Sequence, residues 1–189
     1  MHNFCSKLIC LKHAALSLFN VAVLRSKSTL PLQVSAICYR RTGPEVELLL
    51  VNTNGGGKWT FPKGDPAGSM SHSRAAEREA WEEAGVRGHI ELEHFHLYLY
   101  SKGVFWKPPG VREFVVKAFL FEVAQEGFPA EANRNPTWFG TEDAKKMLMK
   151  GREVKYAREM EALVDRALEQ ILSRPSDNLK NRSILRSSV

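Results

Sequence analysis

Apolar and β-branched residues crowd two stretches, 32–41 and 46–52, and Gly43-Pro44 between them marks a turn, so the pair reads as a β-hairpin. Asn54-Gly-Gly-Gly57 is a loop, and 59–62 is a short strand. The period then becomes helical: Ser71 is placed as an N-cap, alanines fill the interior, and Gly85 stands where a left-handed residue would end the helix. Residues 90–100 alternate and are predicted to form one strand. Phe95, Leu97 and Leu99 share one face, and His94, His96, Tyr98 and Tyr100 share the other, a half-exposed face. Lys107-Pro-Pro-Gly110 is a stiff turn before a strand rich in Val and Phe at 112–123. Residues 128–136 read as a loop. Thr141 reads as a helix cap followed by acids. Residues 155–172 carry Met160, Leu163, Val164, Ala167 and Ile171 at helical spacing, an amphipathic helix stopped by Pro175. Together these elements predict an α/β fold, a mixed sheet flanked by helices.

The first predicted helix carries the chemistry. Glu79, Glu82 and Glu83 fall on one side of it, and Ala76, Ala80 and Ala84 form an adjoining small-residue stripe that can lie close against a sheet. Carboxylates crowded in this way repel by roughly a few tenths of a kcal/mol per pair even when exposed. A divalent cation relieves that cost, and hard oxygen ligands suit Mg²⁺ or Mn²⁺ rather than zinc. The competing reading of E-x-x-E-E alone is a solvated acidic face. His94 and His96 also point together along a strand, but a half-exposed sheet face accounts for them without a metal.

The stretch from Gly64 to Val86 resembles the signature of the Nudix hydrolases, G-x(5)-E-x(7)-R-E-U-x-E-E-x-G-U with U aliphatic. Gly64, Arg78, Glu79, Ala80, Glu82, Glu83, Gly85 and Val86 are in register, and Met70 stands where the first glutamate belongs. The resemblance implies a Nudix-type α/β/α sandwich and Mg²⁺-dependent hydrolysis of a phosphoanhydride bond in a nucleoside diphosphate linked to a further group X. It implies Glu79 and Glu83 as metal ligands, Glu82 as third ligand or base, and the backbone carbonyl at Lys63–Gly64 as a further ligand, with the loop bending back over the helix N-terminus. Arg78 reaches Glu82 at i+4 and fixes its rotamer. Lys63, Lys58, Arg40, Arg41, Lys102, Lys107 and Arg112 are candidates to hold a polyphosphate, and Phe105 and Trp106 to stack on a base. The flanks look most like the diphosphoinositol polyphosphate and diadenosine polyphosphate hydrolases, through Trp59-Thr-Phe-Pro-Lys-Gly64, Glu83-Ala-Gly-Val-Arg-Gly88 and Trp138-Phe-Gly-Thr-Glu-Asp-Ala144. Gln33, Val34 and Ser35 stand where the inositol-phosphate enzymes carry basic residues, which weakens that branch. The alternative is a Nudix fold that binds a nucleotide or protein without turnover. Met70 supports it, and the three retained glutamates argue against it.

Composition changes this picture little. The formal charge of +6 in 189 residues belongs to the ends: 1–29 holds four basic residues and no acid, and 173–189 holds four against Asp177, leaving 19 basic and 20 acidic residues in 30–172. No nucleic-acid partner is therefore expected; the expected partner is a phosphorylated small molecule. The apolar run 14–24 is too short for a membrane span, which needs roughly 20 residues. It is open to reading as a signal-peptide core, a transit peptide or an upstream start, and it is carried forward as an extension outside catalysis. Cys5, Cys10 and Cys38 form no disulfide or zinc pattern and fit a reducing, cytoplasmic setting, with Cys38 a small core residue. The expected organisation is an extension at 1–30, a hydrolase domain at 31–173 and a disordered basic tail at 174–189.

Overall fold

A computed structural model describes residues 30–54, 57–66, 68–103 and 111–174. The N-terminal extension, Phe105, Trp106, Lys107, the turn that follows them and the chain from Pro175 onward lie outside the described residues. Eight strands are found among those described: β1 (Leu32–Thr42), β2 (Glu45–Asn52), β3 (Trp59–Thr60), β4 (Lys63–Gly64), β5 (Val86–Ile90), β6 (His96–Gly103), β7 (Val111–Glu126) and β8 (Thr137–Gly140). Three helices accompany them, α1 (His72–Ala84), α2 (Thr141–Met149) and α3 (Val154–Ser173), with a 3₁₀ turn at Ala132–Arg134.

The sheet runs β3-β2-β1-β7-β5, with β4 added to β1, β6 to β7 and β8 to β2. It is mixed: β1 and β7 pair in parallel, and the other pairs are antiparallel. Strand alternation sorts the core into two layers. Val34, Ala36 and Cys38 of β1 and Leu49 and Val51 of β2 pack with Ala76, Ala80 and Ala84 of α1. On the opposite face Ile37, Tyr39, Leu48 and Leu50 pack with Leu148 of α2 and Met160, Leu163, Val164, Ala167 and Ile171 of α3. These five α3 residues are at most 1% exposed, so the predicted amphipathic stripe is wholly used; each of the four larger side chains contributes about 1.5–3 kcal/mol of burial. The expected α/β/α sandwich is the fold observed. No helix among the described residues is long and apolar enough to cross a membrane.

The structure corrects five local expectations. The strand expected over 90–100 is two strands, β5 and β6. They interrupt at 91–95, where Glu91 and Phe95 still donate to the Leu120 and Ala118 carbonyls of β7. The histidine-tyrosine face is half exposed only at its histidines: His94 is exposed and His96 partly buried, whereas Tyr98 and Tyr100 are core residues, because α3 covers that side of β6. The cap of α2 is Gly140 rather than Thr141, with Glu142 and Asp143 in the first turn as expected. The four-residue β8 beside β2 has no predicted counterpart. Arg174, assigned to the tail, pairs with Glu91 and accepts from Arg41.

Burial lowers the His96 imidazole to about 4, with Arg166 acting in the same direction. A histidine that titrates near 6.5 when unfolded and lower when folded contributes stability above that value. The contribution is lost as pH falls towards the folded pKa. Urea unfolding of the parent is therefore expected to lose up to about 3 kcal/mol more between pH 6.5 and 4 than a His96→Gln variant. Parallel acid limbs for the two proteins would refute this.

Candidate active site

The site lies where β4 crosses α1. Ser71, extended at φ −61° and ψ 151°, accepts from the Arg74 N–H, and Gly85 ends α1 at φ 69° with its own N–H turned to the Ala80 and Trp81 carbonyls. Between these caps the helix presents its alanines to the sheet and its glutamates to β4. Pairing of Lys63 and Gly64 with Ser35 and Val34 sets β4 beside the second half of the helix, not its N-terminus as the sequence reading placed that loop.

Glu79 and Glu83 are buried there, their side chains 10% and 3% exposed, whereas Glu82 is 36% exposed. Arg78 Nη2 donates to Glu79 Oε1 at 2.6 Å, and its Nε lies 3.6 Å from Glu82 Oε2. The arginine expected to hold Glu82 therefore holds Glu79 more closely. Gly64 has no side chain for good reason, since a Cβ built there overlaps the Glu79 carboxylate. The Lys63 N–H donates to Glu83 Oε2 at 3.2 Å, and Arg134 pairs with Glu83 Oε1. Burial raises Glu79, and it pushes Glu83 up to about 7 against the pull of Arg134 and Lys63. Burial likewise brings the Lys63 ammonium down to about 8, opposed by Glu83. Desolvated carboxylates next to desolvated cations form a site whose charge balance is set by its occupants.

The donor set fits a hard divalent cation. Two buried carboxylates and a more open third bring oxygen donors only, and the missing Cβ at Gly64 leaves room for Glu79 against the backbone. Among the described residues no three of His, Cys, Asp and Glu are gathered as a ready-made metal cage. Glu79 is turned to Arg78 and Glu83 to Arg134, so arginines hold what an ion would otherwise gather.

On the α3 side of the sheet a cavity of about 230 Å³ is lined by Lys58, Tyr100, Ser101, Arg152 and Tyr156, among others. Lys63 joins the two regions. Its main chain holds Glu83, while its Nζ lies 3.9 Å from the centroid of the Tyr100 ring. Arg152 is fixed by donating to the Leu148 and Trp59 carbonyls, and with Lys102 it acts electrostatically on Lys63.

Lys63 is thus brought to the site, and Lys58 to the cavity beside it. Arg40 is not: it pairs with Glu47 at 2.7 Å and Glu126 at 2.8 Å and lies over the Trp138 ring. Arg41 donates to the Ile171 and Arg174 carbonyls at the end of α3. Arg112 stands opposite Lys102 on β7, stacked on Phe114, and does not line the cavity. Met70 is 42% exposed on the outer side of α1, beside Arg74 and Trp81.

The residues missed from sequence are Glu131, Arg134, Tyr100 and Arg152. Glu131 and Arg134 lie in the stretch read as a loop. There Gly127 donates to the Gly85 carbonyl and Glu131 to the Glu82 carbonyl, seating the segment on the end of α1. Their i,i+3 spacing of opposite charge was the only available signal.

The NUDIX domain family model matches residues 29–160. Among solved structures, the fold is similar to the NUDIX domain of Shewanella oneidensis NrtR, determined with ADP ribose, at a TM-score of 0.54 and 17% identity over 78% of this chain and 92% of that one. It is similar to the MutT protein of Methanosarcina mazei Go1 at a TM-score of 0.53 and 18% identity over 73% and 96%, and to that of Bacillus halodurans at 0.52 and 17% over 71% and 82%. The glutamate helix, the glycine against its first carboxylate and the match over most of the chain agree: the protein belongs to the NUDIX domain family.

Proposed function

We propose that the protein hydrolyses a phosphoanhydride bond in a nucleoside diphosphate linked to a further group, with an extended polyphosphate such as a diadenosine polyphosphate as the substrate that suits it best. The observation that carries this reading is the cavity joined through Lys63 to the glutamate face. Lys58 and Arg152 line it together with Glu153, and Lys63 and Lys102 add positive charge at its border. Glu79, Glu82, Glu83 and the Gly64 carbonyl would hold Mg²⁺ or Mn²⁺, which supplies charge neutralisation on phosphate and a more acidic bound water. The chain's own residues do the rest. Lys63 and its neighbours draw the phosphates to the end of β4, and Arg78 holds Glu79. Glu82, the most open of the three carboxylates, would serve either as third ligand or as the base that accepts the proton of the attacking water. Gln33, Val34 and Ser35 bring no charge to the β1 approach, which favours a nucleotide over an inositol phosphate.

Mg²⁺-dependent phosphate release should be measured over diadenosine polyphosphates, ADP-ribose, nucleoside triphosphates and diphosphoinositol phosphates. The diadenosine compounds are expected to give the highest kcat/KM, and turnover of none of the panel would leave a binding module as the reading. Lys63→Ala is expected to raise KM more steeply as the phosphate chain lengthens. An equal rise on ADP-ribose and diadenosine tetraphosphate would remove Lys63 from the phosphate grip.

A further inference from the structure

Arg134 spends all three guanidinium nitrogens on three different parts of the site. Nη2 pairs with Glu83 Oε1, Nε donates to Glu131 Oε2 at 2.6 Å, and Nη1 donates to the Asn52 carbonyl at 3.2 Å. Its side chain is 10% exposed and the Glu83 side chain 3%, so neither is free to turn to water. Arg78, the other arginine on the glutamate face, is 33% exposed and can swing away from Glu79. Arg134 cannot leave Glu83 without also breaking its bonds to Glu131 and to the end of β2.

We propose that Arg134 is the protein's own counter-cation at Glu83, competing for the carboxylate with a divalent ion, and that it thereby sets the metal concentration at which the site fills. The proposal rests on the reading of the glutamate face as the metal site. A guanidinium and a divalent cation on one carboxylate oxygen repel strongly in a desolvated setting, so one excludes the other. The segment that carries Arg134 is seated on α1 through the Glu131 and Gly127 N–H groups. Displacing the arginine therefore loosens one of three ties between that segment and the helix.

The test uses the full chain, with Mn²⁺ as probe, its binding followed by electron paramagnetic resonance and its effect on melting by calorimetry. Arg134→Met fills much of the same space without the charge. It is expected to bind Mn²⁺ about tenfold more tightly than the parent or better, a coupling of ordinary size. Without metal it should melt below the parent, and at saturating Mn²⁺ the difference should close. A variant that binds Mn²⁺ no more tightly, with a melting deficit that persists at saturation, gives Arg134 a structural role only and overturns the proposal. If Arg134→Met does not fold, Arg134→Lys decides, since it keeps a charge but loses the three-way fork. Tighter Mn²⁺ binding than the parent supports the proposal, and equal or weaker binding overturns it. A parent chain that takes up no Mn²⁺ overturns the metal reading itself, and the proposal with it.

Discussion

Glu83→Gln is expected to lower kcat about 10³-fold or more while Glu77→Gln leaves it nearly unchanged. The first substitution keeps shape and removes one charge from the carboxylate set proposed to hold the metal, a loss of several kcal/mol in a metal-assisted hydrolysis. Glu77 lies about 160° round the helix from Glu79 and is paired with Arg74 at 2.5 Å. The effect of Glu83→Gln on stability has the opposite sign to that suggested by three like charges on a helix. Burial alone would favour a neutral residue at 83, but Glu83 balances Arg134 and the Lys63 ammonium, and they would be left buried with less to oppose them. A cost of about 1–3 kcal/mol is expected, the Glu131 partner keeping it below that of a fully orphaned charge. Steady-state kinetics with Mg²⁺ titration, alongside denaturant unfolding, checks both. Normal turnover in Glu83→Gln, or an equal fall in both variants, would leave the binding-module reading in place.

Gly64→Ala separates the geometry of the site from the stability of the fold. Gly64 does not adopt a left-handed conformation, so its requirement is for space, not for backbone freedom. The group that a methyl would strike is the carboxylate end of Glu79, which can rotate away at modest cost to the fold. Moving a proposed ligand by about 1 Å is enough to cost roughly 10²-fold in rate. The expected result is a fall of that order in kcat with a melting temperature close to the parent's. A variant that retains full activity would show that the contact between Gly64 and Glu79 has no part in catalysis.

The glutamate helix was legible because everything that makes it is local: a serine cap, a glycine at the αL end, and carboxylates and alanines on adjoining faces. The order of the main strands and the buried face of α3 were legible for the same reason. Alternation over 90–100 separated two faces but could not say which was inside, and α3, 60 residues further on, decided it in favour of Tyr98 and Tyr100. Basic residues were the hardest to place. Arg40 and Arg41 look no different in sequence from Lys58 and Lys63, yet they end on Glu126 and on the carbonyls of α3. Arg134 is about 50 residues from Glu83, and nothing around it distinguishes a buried ion pair from a charged surface turn.

The parallel pairing of β1 with β7 governs how the chain can assemble. Tyr39 and Glu122, opposite each other across that pair, are 83 residues apart, so the middle of the sheet closes only after a large loop has been drawn in. Such non-local closure slows folding relative to hairpin formation. During synthesis β1, β2 and α1 emerge well before β7, which covers the open edge of β1. Until then Val34, Ala36 and Cys38 and the alanine stripe have Leu49 and Val51 of β2 to pack against but not Phe119 and Phe121 of β7. The glutamate helix is complete on the chain well before the strand that finishes its layer, which makes the nascent chain before β7 emerges a stage exposed to misassociation.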